Sequence, residues 1–165
     1  MNVTEWLPLA VIASSLLPGL AIFTLREDQG RIRTGLNLLG ACTKLLLVGV
    51  LVFGVRAGLD FEVRYAVLPG IDLALKADAL GLLFITLSAV LWLFTTIYAI
   101  GYLENAPHRS RFFGFFSLCV SATAGIALAG NLFTLFVFYE ILTLVTYPLV
   151  IHRGTPASLA AGRSY

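Results

Sequence analysis

Charge is what this chain has least of. Asp, Glu, Lys and Arg together make up 12% of its 165 residues, against about 25% in an average soluble domain. So few charges cannot give a polar coat to a water-soluble core. The net charge is only +2, and no basic stripe exists, which argues against nucleic acid as a partner. Cysteine is nearly missing too: Cys42 and Cys119 are the only two, with no CxxC and no Cys/His cluster. That removes the ligand sets of iron–sulfur and zinc sites and leaves two small apolar residues within apolar runs, expected in the core. A GxGxxG fingerprint is lacking, and so is any nucleophile–base set in the loops. No cofactor, no metal and no catalytic residue is therefore expected. If the protein serves a redox enzyme, other chains handle the electrons.

What is abundant is apolar side chain: 59% of the residues, with mean hydropathy +0.92. These residues fall into five runs, Trp6 to Leu25, Thr34 to about Gly58, Ala79 to Leu103, Phe112 to Ala129, and Leu132 to Ile151. At 1.5 Å per residue each can cross a hydrocarbon core of about 30 Å. Lipid offers no partners to backbone N–H and C=O groups, so each run is expected to be a helix. The fold class is thus an all-α membrane protein of about five transmembrane helices. The first run lacks the basic leader of a signal peptide, since Glu5 is its only preceding charge, and reads as a retained helix.

The connections differ in kind. Residues 26–33 and 104–111 are short and basic, and Pro107 breaks the helix in the second. Gly130–Asn131 is a tight turn, which makes the fourth and fifth helices antiparallel neighbours. Between Leu59 and Asp78, Phe61, Val63, Tyr65 and Val67 alternate with Glu62, Arg64 and Ala66. After Pro69–Gly70, Ile71, Leu73 and Leu75 alternate with Asp72, Ala74 and Lys76. Period-two alternation around a Pro-Gly turn predicts a β-hairpin. Arg26, Arg31, Arg33, Arg109, Arg111, Arg153 and Arg163 would lie on one side, and Arg56, Arg64 and Lys76 on the other. By the positive-inside rule this puts the N-terminus and the hairpin outside and the C-terminus in the cytoplasm.

Polar residues inside apolar runs are the candidates for function. Glu140 lies in the middle of the fifth run, beyond snorkelling reach of either end. Inserting an acid at a helix centre costs on the order of 3 kcal/mol, so a partner, a water cavity or a function is expected to offset it. Thr143 and Tyr147 share its face at i+3 and i+7 and could hydrogen-bond the carboxyl. Pro148 loosens the helix just beyond. Lys44 is the second outlier, sharing a face with Asn37, Gly40 and Ala41; a snorkelling stem, a polar helix contact or a pair with Glu140 are all open. Thr143, Tyr147 and Lys44 rank below Glu140 as proton or cation pathway residues. His108 and His152 flank membrane runs, as interfacial residues or as proton-uptake groups. Trp6, Trp92, Tyr98 and Tyr102 suit interface or core, the two tyrosines fitting an aromatic belt. Ser117, Ser121, Gly125 and Ala129 give the fourth helix a small-residue packing face.

KADALGLLFITL after the hairpin, YAIGYLEN closing the third helix, and RFFGFFSLCVSATAGIALAGNLFTLFVFYEILTLVTYPLV resemble the antiporter-like family of membrane subunits. That family includes the pumping subunits of respiratory complex I and the D- and A-type subunits of Mrp multisubunit cation/proton antiporters. The resemblance covers roughly residues 59–165 and is most specific at GNLFTLFVFYE; the ending HRGTPASLAAGRSY resembles the Mrp D-type branch. It implies that Glu140 matches the family's glutamate on the fifth helix, which pairs with a lysine on a later, broken helix. Tyr139 departs from the Trp that often precedes that glutamate in complex I members. The family has about fourteen helices in two inverted repeats, so this chain is expected to be the N-terminal portion of a longer subunit, unable to pump alone. The resemblance implies as partners the lipid bilayer, other membrane subunits, protons and Na+ or K+, in a bacterial plasma membrane. Two functional readings follow from it, a proton-conducting subunit of an Mrp-like antiporter or of an NADH–quinone oxidoreductase or membrane hydrogenase. A structural scaffold bundle is the third.

Overall fold

The structure is a computed structural model that describes residues 3–103 and 107–164, with the backbone alone for residues 3–5. Glu104 and Asn105 of the YLEN motif, with Ala106, Met1, Asn2 and Tyr165, lie outside the described residues. Among the described residues, five helices are long and apolar enough to cross a membrane. They are α1 (Val3–Phe23), α2 (Gly30–Arg56), α3 (Ala79–Tyr102), α4 (Arg109–Ala127) and α5 (Leu132–Val150). A two-stranded antiparallel sheet, β1 (Glu62–Leu68) and β2 (Ile71–Lys76), separates α2 from α3. The fold class is the one expected. A short helix, α6 (Pro156–Ser164), follows. Pro156 opens it, where a missing N–H costs nothing, and the Thr155 hydroxyl accepts from Ser158 N at 3.2 Å.

Helix ends differ from the ends of the apolar runs for a simple reason. Hydropathy falls at the first charge, whereas helical hydrogen bonding continues through it. α2 therefore begins at Gly30 and carries Arg31 and Arg33 in its first turn, and α4 begins at Arg109. Side-chain caps fix two other starts. Asp78 accepts from Gly81 N at 2.6 Å before α3, and Asn131 accepts from Thr134 N at 2.8 Å before α5, which satisfies otherwise orphan helical donors. The Gly130–Asn131 turn thus ends one helix and caps the next.

The hairpin turns at Pro69–Gly70, where Gly70 takes φ +82°, a value that an L side chain rarely adopts. Pairing runs from Glu62↔Lys76 to Leu68↔Ile71. Its alternation holds at the base and fails at the tip. Phe61, Val63 and Leu75 are buried, but Tyr65, Val67, Leu68 and Ile71 are exposed. The base is fastened to the α4–α5 turn. Gly130 N donates to Ala74 O at 2.8 Å and Lys76 N to Leu128 O at 2.7 Å, with a bridge between Leu75 and Ala129. Asn131 Nδ2 donates to Asp72 O at 2.7 Å, and Ala74 N donates to the fully buried Thr134 hydroxyl at 2.8 Å. The hairpin and this turn together plug one end of the bundle.

The opposite end is basic and is tied together by Glu27. Its carboxylate accepts from Arg109 N at 3.0 Å and Ser110 N at 3.2 Å, capping α4, and lies 3.7 Å from Arg33 Nη1. The loops near residues 26, 108 and 152 therefore meet at this end, and the hairpin occupies the other.

The α4 small-residue face is shared among α1, α2 and α5. Ser117 and Ser121 meet α1: a Cβ on Gly19 would sit 3.0 Å from Ser117 Cβ, and Ser121 Oγ donates to Ile12 O at 3.2 Å. Gly125 instead receives the Phe138 ring of α5. Both cysteines are free thiols; Cys42 is exposed and Cys119 half-buried, so the core placement expected for Cys42 does not hold.

Candidate functional site

The interior of the bundle is more polar than its composition suggests. α2 turns Arg33, Asn37, Gly40, Ala41, Lys44 and Val48 inward, positions that recur at helical spacing and so form one stripe. Against it α4 presents Ser110, Ser117 and Ser121, at intervals of seven and four. Arg33 Nη1 donates to Ser110 Oγ at 2.7 Å. Asn37 Nδ2 donates to Arg33 O at 3.1 Å, and Ser117 Oγ donates to Asn37 Oδ1 at 3.2 Å. These bonds form a polar seam from the basic end toward the middle of the bundle.

Lys44 stands at the inner end of that seam. It is completely enclosed, so the snorkelling alternative is not the one realised. Its Nζ donates to Ser15 Oγ on α1 at 2.9 Å and to Val120 O on α4 at 3.3 Å, and lies 5.4 Å from the Trp92 ring on α3. Gly40 makes the enclosure feasible: a Cβ there would meet Pro18 Cγ at 2.9 Å, Ser14 O at 3.0 Å and the Trp92 ring at 3.2 Å. On α3, Trp92 and Thr96 are almost wholly buried. Yet Trp92 Nε1 and Thr96 Oγ1 have no hydrogen-bond partner among the described residues. Such buried orphans are uncommon in folded proteins, and an ordered water is one group that can satisfy them.

Glu140 is placed very differently. It lies in the middle of α5 but is exposed on the outward side, beside Phe136, Tyr139, Leu144 and Tyr147, all of which are exposed. Thr134 is the one fully buried residue of α5. The carboxyl has neither ion pair nor side-chain hydrogen bond among the described residues. The expected bond from Thr143 is not made, because its hydroxyl donates to the Tyr139 carbonyl one turn back, at 3.1 Å. Tyr147 shares the open face without reaching the acid. A Glu140–Lys44 pair is not formed either, since one group is sealed among α1, α2, α3 and α4 and the other faces away from them. Both outliers are legible in the sequence; their separate environments are not.

The histidines share a cavity of about 1100 Å³ at the basic end, with Tyr98, Tyr102, Arg111 and Arg153 also on its wall. The His152 ring packs edge-on to Phe112, 5.4 Å between centroids. Burial holds its pKa below the usual histidine value, with the nearby charges of Arg111 and His108 adding to the effect and Glu27 opposing it. Tyr98 and Tyr102 stack at 5.5 Å on the exposed surface, as an aromatic belt requires, whereas Trp92 is core and Trp6 is exposed.

Five helices long and apolar enough to cross a membrane, a polar interior seam and an acid with no side-chain partner among the described residues define a polytopic membrane protein. Comparison with known proteins narrows the class. Residues 69–113 match the family model of the N-terminus of chain 5 of NADH-ubiquinone oxidoreductase (complex I); the match runs from the hairpin turn into α4 and stops before α5. A probable K+/H+ antiporter protein of the D type from Rhizobium meliloti is 29% identical over 98% of this chain and 31% of its own length. The L subunit of NADH-quinone oxidoreductase from Mycobacterium tuberculosis is 30% identical over 54% of this chain and 15% of its own. A chain of the archaeal membrane-bound sulfane sulfur reductase shares the fold, with TM-score 0.71, 20% identity, and coverage of 86% of this chain and 22% of that one. The chain is thus similar in sequence to membrane subunits of cation/proton antiporters and of complex I. It spans about a third or less of the length of these relatives.

Proposed function

We propose that this chain forms the N-terminal part of a proton-conducting subunit in an Mrp-like cation/proton antiporter, with Glu140 as its protonatable acid. The observation that carries the reading is the placement of Glu140: a carboxyl at mid-helix on the one membrane helix whose outward face is almost uncovered. Exposed to lipid, that group is costly. Covered by a further helix bearing a cation, it becomes a site whose protonation responds to that cation. Half of such a site resides here, so transport belongs to the longer assembly and not to these 165 residues alone. Na+ or K+ would be the coupled cation, and other membrane subunits the partners. The basic end, with Arg31, Arg33, Arg109, Arg111 and Arg153, faces the cytoplasm of a bacterial cell in this reading, and the hairpin faces outward.

In the complete assembly, Glu140→Gln keeps size and hydrogen-bonding capacity but cannot titrate. It should assemble normally and lose most proton-coupled transport, and Glu140→Asp should retain part of it. Wild-type transport by Glu140→Gln at equal abundance would contradict the reading.

The family match over residues 69–113 favours a second membership, in a proton-translocating NADH–quinone oxidoreductase. The role of the chain would be the same there, with all redox groups on other subunits. Co-purification separates the two: small antiporter subunits in one case, iron–sulfur and flavin subunits in the other.

A further inference from the structure

The seam that ends at Lys44 is separate from Glu140 and asks for its own account. A cleft of about 500 Å³ opens at the basic end between α2, α3 and α4, with Arg33, Thr34, Ile100, Gly101 and Arg109 on its wall. Arg33 leads from it to Asn37 and Ser117 through the bonds described above. One turn inward from Ile100 along α3 is Thr96, and one turn further is Trp92, the two buried groups whose Oγ1 and Nε1 lack partners among the described residues. Trp92 lies against Lys44. Open cleft, polar side chains, unpartnered donors and amine thus follow one another from the surface to mid-membrane.

Among the described residues, no acid neutralises Lys44 from the elements around it. α1 carries a single charged residue, Glu5 in its first turn; α3 carries none; α4 carries Arg109 and Arg111 at its start and the thiol Cys119 beside Val120. On α2 itself the other titratable residues are Arg31, Arg33, Cys42 and Arg56. An ammonium here has one hydroxyl, one carbonyl and an aromatic face for company. Deep burial of a charge with so little compensation is expensive. Water drawn in beside Trp92 and Thr96 would both hydrate the amine and satisfy the two orphans.

We infer that the α2–α3–α4 seam admits water from the basic end and that Lys44, at its inner end, exchanges protons with that side. A hydronium in the seam gives its proton to the neutral amine, leaving water and an ammonium; release is the reverse, to a seam water. The substrate is a proton and not a metal cation. Arg33 and Arg109 line the cleft, and the seam supplies no carboxylate and too few oxygens to replace the hydration shell of Na+ or K+. The inference is independent of the role proposed for Glu140.

The sequence contains only two lysines, Lys44 and the exposed hairpin residue Lys76, so the amine can be observed directly. The chain, labelled with 13Cε,15Nζ-lysine and reconstituted in lipid nanodiscs, is transferred into D2O buffer, and the isotope shift at Cε is followed by NMR. Lys44 should exchange within minutes. Asn37→Leu and Thr96→Val, which replace a polar group of the seam by an apolar one at two points and so disfavour water there, should each slow it by about tenfold or more while Lys76 is unchanged. Glu140→Gln should leave the rate as it is, so failure of the Glu140 reading and failure of this one are distinct results. Thr96→Val is nearly isosteric and serves if Asn37→Leu does not fold. Retention of protons on Lys44 for hours would make it a dry structural plug. Fast exchange unaffected by both variants would place the water elsewhere. Either outcome overturns the inference.

Discussion

The Lys44 amine lies 2.9 Å from the Ser15 hydroxyl, deep between α2 and α1, and no carboxylate shares its depth in the helices around it. Stability should therefore depend on the volume of this side chain and not on its charge. Lys44→Met fills the same space without a charge and should unfold within about 1 kcal/mol of wild type, or at higher denaturant. Lys44→Ala opens a cavity and should lose about 2–5 kcal/mol. Reversible unfolding in mixed micelles distinguishes them; equal losses for Met and Ala would mean that the charge itself holds the bundle.

The hairpin is held by the Thr134 hydroxyl, which accepts from Ala74 N. Thr134→Val keeps the shape and removes the acceptor, leaving a buried N–H unmet at a cost of about 1–3 kcal/mol. Amide exchange at Ala74, Lys76 and Gly130 should accelerate, while the amides of α1 and α2 keep their protection. Unchanged exchange at Ala74 would show that the turn does not anchor the sheet.

His152 makes the basic end sensitive to acid. Its folded pKa is lowered, so below the free-histidine value near 6.5 the unfolded chain binds the proton more readily than the folded one. Stability is then constant above that value and falls as the pH drops through it toward the folded pKa. His152→Gln should flatten the dependence of unfolding midpoint on pH in this window. A slope that survives the substitution would assign it to another group.

The two ends of the bundle should lie on opposite sides of the membrane, the basic one inside. With Cys42 and Cys119 removed, single cysteines at Gln29 and Asp72 should react with an impermeant thiol reagent from opposite sides, the Asp72 site from outside. Reaction of both from one side would exclude this topology.

Much of this was readable in the residues because the bilayer allows so few solutions. Five apolar runs can only be helices, and Phe61 to Leu75 with a Pro-Gly turn can hardly be anything but a hairpin. What escaped was set by contacts distant in sequence. The fastening of Ala74 and Lys76 to Gly130 and Leu128 joins segments more than fifty residues apart, and no local pattern announces it. For Lys44 the stripe on α2 was visible, but its enclosure depends on Ser15, Trp92 and Val120 from three other helices. Glu140 shows the converse. Its depth followed from counting residues, whereas its outward direction depends on which face of α5 the Phe138–Gly125 contact takes. Thr143 was matched to it by spacing, yet a hydroxyl in an apolar helix satisfies itself locally, on the Tyr139 carbonyl.

The most direct test of the account is the protonation of Glu140 in the complete assembly during turnover. Infrared difference spectra of the working complex should contain the carbonyl stretch of a carboxylic acid that appears and disappears with the imposed ion gradient, that shifts in Glu140→Asp and that is lost in Glu140→Gln. A carboxyl band unaffected by the gradient, or one unchanged in Glu140→Gln, would contradict a proton-carrying role for this glutamate.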